Sequence, residues 1–286
     1  MKKIGNFFKC MGISYIYLTV FILSQVFSLF GYMFFKLYTD IDFIEKFVDI
    51  FGPIYDNLGD STIAYLENYG DVMSAYMEII NDLLIPILTI SNLCVIIIIY
   101  IKIFYDYKKK NIKVIKKVDF KELFKFLGIG ILLNLVISLI IGLLPKELIE
   151  SHEAATQFAL NGNIYLLIFS SGILAPIAEE LVFRYGMMKN LIKINVPFGI
   201  IFQALLFGLM HGNIVQSSYA FLLGLIFGYI DYKHDNIAYS IILHIAINAS
   251  SVIVGTLGIN EVVGMLILIA ISFIIYFIIP KKKENI

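Results

Sequence analysis

The sequence predicts an all-α fold: a polytopic membrane protein of about eight transmembrane helices, with a polar site inside the bundle. Three observations carry this prediction. Of 286 residues, 59% are hydrophobic and 15% charged, and the mean hydropathy of +0.87 lies outside the range of water-soluble domains. Apolar runs near the ~20 residues that cross a hydrocarbon core recur along the chain. Lys and Arg gather in every second connection between those runs, the pattern of loops that face the cytoplasm.

Taken in order, the runs are Met11 to Phe35, Leu83 to Phe104, Phe124 to Leu144, Ile164 to Met187, Val196 to Met210, Ser217 to Ile230, Ile237 to Leu257 and Val262 to Ile279. The first is longer than a signal-peptide core and no small-residue cleavage site follows it, so it is expected to stay as an anchor. The fifth and sixth are short, which predicts little tilt or packing away from lipid. Trp is absent, and 18 Tyr are available for the interfacial belt that amphipathic rings form.

Eight crossings put Lys2, Lys3 and Lys9, the Lys108 to Lys117 stretch, the Lys189 to Lys193 turn, Lys233, and Lys281 to Lys283 on one side. This predicts a multi-pass protein of the cell membrane with both termini cytoplasmic. The acidic, Tyr-rich Asp40 to Asp82 segment and the mixed Lys146 to Glu153 segment then fall outside. Within the former, Ile41, Ile44, Phe47 and Val48 recur at helical spacing and predict an amphipathic helix on the outer leaflet, a solvated cap being the alternative. His152 and His234 stand beside Glu153 and Asp235 in connections and read as solvated. The chain divides into residues 1–160, an amino-terminal transmembrane region with the external acidic loop, and residues 161–286, a helical core that carries the chemistry plus a terminal helix. A formal charge of +0 leaves no basic field to draw nucleic acid. The partners expected are membrane lipid and a peptide or lipidated peptide; the oligomeric state is not legible. Cys10 and Cys94 show neither metal-knuckle nor disulfide spacing and read as small packing residues.

A charge in hydrocarbon costs about 2.5–3.5 kcal/mol on insertion scales, so those retained need a reason. The fourth run contains Pro176-Ile177-Ala178-Glu179-Glu180-Leu181-Val182-Phe183-Arg184, the fifth ends Phe207-Gly208-Leu209-Met210-His211-Gly212, and the seventh holds His244-Ile245-Ala246-Ile247-Asn248. Glu180 and Arg184 are one helical turn apart and predict a neutralising ion pair. Glu179, rotated by about 100° from its neighbour, has no such partner on its own helix; it is free to face a cavity and take a proton from water. His244 and Asn248 project from one face, and both can donate to a developing oxyanion. His211 lies where the fifth run ends, with Phe207 one turn earlier to pack beneath its ring. On straight helices Glu179, His211 and His244 differ in depth. They meet only if helices kink or shift, and Pro176 supplies a kink by deleting the hydrogen bond to the Gly172 carbonyl. Gly208-x-x-x-Gly212 and Gly224-x-x-x-Gly228 predict close approach of the fifth and sixth helices.

At these residues the chain resembles the CAAX protease and bacteriocin-processing family, also called the Abi family, of intramembrane endopeptidases. The family pattern is E-E-x-x-x-R, then F-x-x-x-H, then H-x-x-x-N or D on successive helices. Here it stands as Glu179-Glu180 with Arg184, Phe207 with His211, and His244 with Asn248, within a likeness that covers Ile164 to Leu257. The resemblance implies a type II CAAX prenyl protease-like hydrolase that cuts peptide bonds within or beside the membrane. It also implies roles: Glu179 and His211 activate a water, His244 and Asn248 stabilise the oxyanion, and Glu180 with Arg184 completes the site. The family is usually called metalloprotease. Glu179, His211 and His244 make a two-His, one-carboxylate set for zinc with an open position, and the same three serve a metal-free mechanism; the sequence leaves that choice open. The H-E-x-x-H of soluble zincins is missing.

Two other readings stand beside the peptidase. Bacterial relatives resemble bacteriocin-immunity and toxin-resistance proteins, so a non-catalytic membrane immunity or scaffold protein of the same fold is the alternative. A transporter ranks below it, because the intramembrane charges are confined to the carboxy-terminal half, whereas inverted repeats would place them in both.

Overall fold

The structure is a computed structural model that describes residues 2–58, 69–110, 116–157 and 163–278. Those residues form ten helices and no strand. They are α1 (Lys2–Thr39), α2 (Ile41–Leu58), α3 (Tyr69–Lys110), α4 (Phe120–Ile141), α5 (Lys146–Gln157), α6 (Ile164–Leu191), α7 (Val196–Leu209), α8 (Ile214–His234), α9 (Ala238–Leu257) and α10 (Glu261–Ile278). Seven of them, α1, α3, α4, α6, α8, α9 and α10, are long and apolar enough to cross a membrane, and α7 is a shorter apolar helix. The chain is a polytopic all-α membrane protein, as its composition predicts.

Polar caps set several helix ends. Asn163, Asn195 and Asn213 accept hydrogen bonds from the first free N–H groups of α6, α7 and α8. The sixth apolar run, expected to be short, reaches 21 residues as α8, from the Asn213 cap to Asp235 in the left-handed region (φ 46°).

Helix α6 is the axis of the bundle. Its apolar window is 56% buried, against 17% for α1 and for α10. Around it pack α1, α3, α7, α8 and α9, while α4 and α10 lie outside on α9. Phe21, Val95, Val182, Phe183, Phe207, Phe227 and Leu243 are among the residues that fill the core between α6 and its neighbours. Outward-facing Phe27, Ile97 and Leu266 are more than half exposed, which suits acyl chains and not water. The α7–α8 contact is close because Gly208, Gly224 and Gly228 lack side chains: a Cβ at Gly208 would stand 2.7 Å from the Ser217 carbonyl oxygen, and one at Gly224 would stand 3.0 Å from Ala204 Cα. Gly212 plays a different part from the one its spacing suggests. No atom lies within 4 Å of its would-be Cβ, and its φ of +70° makes it the turn residue between α7 and α8.

The connections sort onto two faces, in the alternation the Lys distribution predicts. On one face Lys116 pairs with Asp235, and Lys189 Nζ stands 4.0 Å from Asp235 Oδ1. At the opposite ends, Ser138 donates to Glu261 at 2.6 Å and Asn213 Nδ2 donates to the Ser151 carbonyl at 3.3 Å.

Helix α2 is the amphipathic helix expected after α1, but its inner face is rotated from the predicted one. Phe43 is buried, with Phe47, Ile50 and Phe51 packed beside it onto α1 and α3, whereas Ile41 and Val48 are exposed at 71% and 57%. It rests on protein because α3 extends beyond the apolar window and offers Ile79 and Leu83 as a platform. Lys36 and the Phe43 N–H bind the Asp40 carboxylate at the α1–α2 junction and hold its pKa below the ordinary value. Residues 59–68 of the acidic segment, 111–115 of the Lys108 to Lys117 stretch, the division at 160/161 and Lys281 to Lys283 lie outside the described residues.

Candidate active site

Helix α6 departs from α-helical geometry on both sides of the paired carboxylates. Ile168–Leu174 and Leu181–Met188 are π-helical and flank the α-helical turn Ala175–Glu180. In the first stretch the Ala175 N–H donates to the Ser170 carbonyl, five residues back. Pro176 has no N–H and stands where the wide turn ends, so the change of pitch and the missing donor coincide. Such turns recur at functional sites because they rotate side chains out of the regular register. The offset that straight helices lack is supplied here by pitch as well as by proline.

Glu180 and Arg184 are fully buried, and Arg184 Nε lies 3.0 Å from Glu180 Oε2. Arg184 Nη1 donates to Gln203 Oε1 at 2.5 Å, and Gln203 Nε2 donates in turn to the Gly224 and Ile200 carbonyls, both at 2.9 Å. The guanidinium carbon lies 4.7 Å from the Phe207 ring centre and 5.2 Å from that of Phe227. A desolvated cation over an aromatic face gains about 2 kcal/mol, which offsets part of the cost of burying the charge. Buried Asp231 of α8 acts electrostatically on the same guanidinium, and its carboxylate oxygens have no hydrogen-bond partner among the described residues.

His244 of α9 is held between the two carboxylates. Its Nδ1 lies 3.0 Å from Glu180 Oε1, and its Nε2 lies 3.7 Å from Glu179 Oε2. A carboxylate only accepts, so the Nδ1 hydrogen points to Glu180 and the second nitrogen faces Glu179. Phe227 stacks on the imidazole at 4.7 Å and Phe207 meets it edge-on at 5.7 Å, which fixes the ring plane. Glu180 therefore does more than the ion pair read from the sequence: it is shared between a cation and an imidazole. Gly172 lets α9 approach, a Cβ there meeting Ala249 Cα at 3.2 Å, and one turn of contact later Asn248 Nδ2 donates to the Ser171 carbonyl at 3.3 Å.

His211 sits in the turn after α7, as expected, and Phe207 lies beneath it at 5.0 Å between ring centres. Its Nδ1 hydrogen goes to the Phe207 carbonyl at 2.8 Å, leaving Nε2 as an acceptor. Glu179, a fifth exposed, lines a cavity of about 370 Å³ together with His211, His244 and Asn248. Four of the six residues singled out in the sequence thus face one space, and Glu180 and Arg184 stand behind it. The wall continues to Ser138, His152, Thr156, Gln216 and Glu261, which makes that end of the cavity polar.

The structure engages several polar side chains that the sequence motifs do not mark. His152, read as solvated in a loop, belongs to α5, is half-buried, and lies 5.9 Å from the Tyr219 ring. His234, read the same way, packs against Phe126 and Tyr239. Asn92, Asn134, Gln203 and Asp231 are buried polar residues outside the three motifs. An amide or carboxylate interrupting a Leu, Ile and Phe stretch was the signal available for each.

Among the described residues no group of three His, Cys, Asp or Glu side chains is placed to hold a metal ion. Each site histidine has its Nδ1 engaged, by Glu180 and by the Phe207 carbonyl, which leaves its Nε2 for a water or a ligand. No curated protein and no solved structure matches the chain significantly. A family comparison does match, and it bears out the resemblance read from the three motifs: residues 161–250, which hold all six site residues, fit the family described as type II CAAX prenyl endopeptidase Rce1-like.

Proposed function

We propose that this protein is an intramembrane endopeptidase that hydrolyses a peptide bond of a membrane-associated or lipidated peptide with a water activated by Glu179. Support for the class comes from the family match at residues 161–250. The observation that carries the mechanism is a carboxylate with no cation of its own, lining one cavity with His211 and His244 inside an apolar bundle. In this reading, water gives a proton to Glu179 while its oxygen attacks the scissile carbonyl carbon, and the C=O electron pair moves onto the carbonyl oxygen. His211 Nε2 accepts from the same water and orients it. The tetrahedral state collapses by breaking the C–N bond. The proton passes from Glu179 through His244 Nε2, 3.7 Å away, to the departing nitrogen. The second N–H of Asn248 donates to the oxyanion. Every step uses side chains of this chain and none requires a metal.

We further read residues 161–286 as the catalytic core with a terminal helix, on an amino-terminal anchor, with both termini cytoplasmic. The deciding measurement is cleavage of a farnesylated peptide with a C-terminal C-a-a-X box by the detergent-purified full-length chain. Glu179→Gln is expected to lower kcat by about 10²–10⁴-fold at unchanged melting temperature. Full activity in that variant would refute the base assignment, whereas absence of cleavage by the parent would favour the immunity or scaffold reading. Retention of activity in the parent after chelation and metal analysis supports the metal-free route; its loss, restored by zinc, overturns it.

A further inference from the structure

The site as derived has an engaged set of donors. Asn134 also lines the cavity, but its Nδ2 donates to Ser250 Oγ at 2.9 Å and to Met265 Sδ at 3.4 Å. Asn248 gives one N–H to the Ser171 carbonyl, and His244 lies between two carboxylates. Asn92 is different. It stands on the inner stripe of α3 with Ile85, Val95 and Ile99, is 2% exposed, and lines the cavity that holds Glu179, His211 and His244. Its Nδ2 has no hydrogen-bond partner among the described residues. Helix α3 packs directly on the Ala175–Glu180 turn, and Asn92 and Glu179 line the same cavity. A buried N–H left without an acceptor costs about 1–3 kcal/mol, so the position calls for an acceptor that arrives from outside the chain.

We infer that Asn92, outside the span matched by the family, is a substrate-binding donor whose amide N–H hydrogen-bonds the scissile carbonyl oxygen. The inference rests on the peptidase reading above. Asn92 supplies what the cavity otherwise gives only in part, a buried donor with no protein partner among the described residues, in the wall of the space that holds Glu179. As charge grows on that oxygen the bond strengthens, and the gain falls in the transition state and not on substrate binding.

The test compares Asn92→Ala and Asn92→Asp with the parent, using the farnesylated peptide and an analogue whose scissile amide is a thioamide. Asn92→Asp keeps size and shape but replaces the donor by an acceptor, so it remains informative if the alanine variant folds poorly. Both variants are expected to lose about 10²–10³-fold in kcat with KM changed by less than about threefold. The losses from Asn92→Ala and from the thioamide are expected to be non-additive, because each removes the same hydrogen bond. Parent-like kcat in Asn92→Asp, or full additivity with the thioamide, overturns the assignment of Asn92 while an inactive Glu179→Gln leaves the peptidase reading standing. Parent-like activity in Glu179→Gln removes the base assignment, and absence of cleavage by the parent chain removes the peptidase reading itself.

Discussion

Glu179 and Glu180 are neighbours in sequence and opposites in surroundings. Glu180 faces a closed compartment where Arg184, Gln203 and two phenylalanine rings leave no exposed surface. Glu179 is a fifth exposed and lines a cavity, with an imidazole nitrogen at 3.7 Å and polar groups farther along the wall. One helical step separates a carboxylate whose charge is spent on structure from one whose charge is free for chemistry. His244 bridges the compartments, one nitrogen to each carboxylate. The closed side positions the imidazole on which the proposed chemistry draws.

The sharpest way to break this contrast is to neutralise each carboxylate in turn. Glu179→Gln is expected to remove activity at unchanged stability. Glu180→Gln leaves a buried guanidinium without its counter-charge, which costs about 3–5 kcal/mol. At 2–4 °C per kcal/mol for a domain of this size, that is a fall on the order of 10 °C in melting temperature. Activity also falls, because His244 Nδ1 then meets a neutral amide in place of the carboxylate that holds it. Equal melting temperatures for the two glutamine variants would erase the distinction.

A double substitution separates the two duties of Glu180. Replacing both partners by apolar residues, Glu180→Leu with Arg184→Met, removes the unpaired charge and is expected to recover most of the stability lost in Glu180→Gln. It does not return an acceptor to His244, so activity stays low. Thermal melts and cleavage assays on one preparation read both quantities. Recovery of activity with stability would mean that the contact from His244 to Glu180 has no part in catalysis.

His211 is expected to matter less for folding than either carboxylate, since its one protein hydrogen bond is to a carbonyl in its own turn. His211→Ala should lower kcat by about 10²-fold and melting temperature by only a few degrees. A loss of stability as large as that of Glu180→Gln would move His211 into the structural compartment.

How much of this was legible follows from which interactions are local. The all-α membrane fold and the Glu180–Arg184 pair depend on apolar periodicity and one-turn spacing, and both can be read from the chain. The unpartnered state of Glu179 was legible by the same rule, as the absence of a cation one turn away. Contacts between helices were not. That Glu180 reaches His244, 64 residues on, depends on how α9 crosses α6, which the chain does not spell. The π-helical stretches were equally hidden, because Pro176 signals a break without stating its pitch. His152 was misassigned since α5 packs on α8 through contacts that no local pattern encodes.

The smallest effect concerns two glycines of one four-residue spacing. Gly208 and Gly212 look alike in sequence, yet one is needed for space and the other for backbone conformation. A side chain at Gly208 meets the Ser217 backbone at 2.7 Å, so alanine or asparagine there forces α7 from α8, at about 1–3 kcal/mol. Gly212 has open space but a φ of +70°, where alanine costs about 1 kcal/mol and asparagine, which tolerates the left-handed region, costs less. The expected order of melting temperatures is therefore parent, Gly212→Asn, Gly212→Ala, Gly208→Ala, Gly208→Asn. Asparagine is the better substitute at one glycine and the worse at the other. If asparagine is worse than alanine at both, Gly212 is a packing residue, and the turn that places His211 at the cavity has been misread.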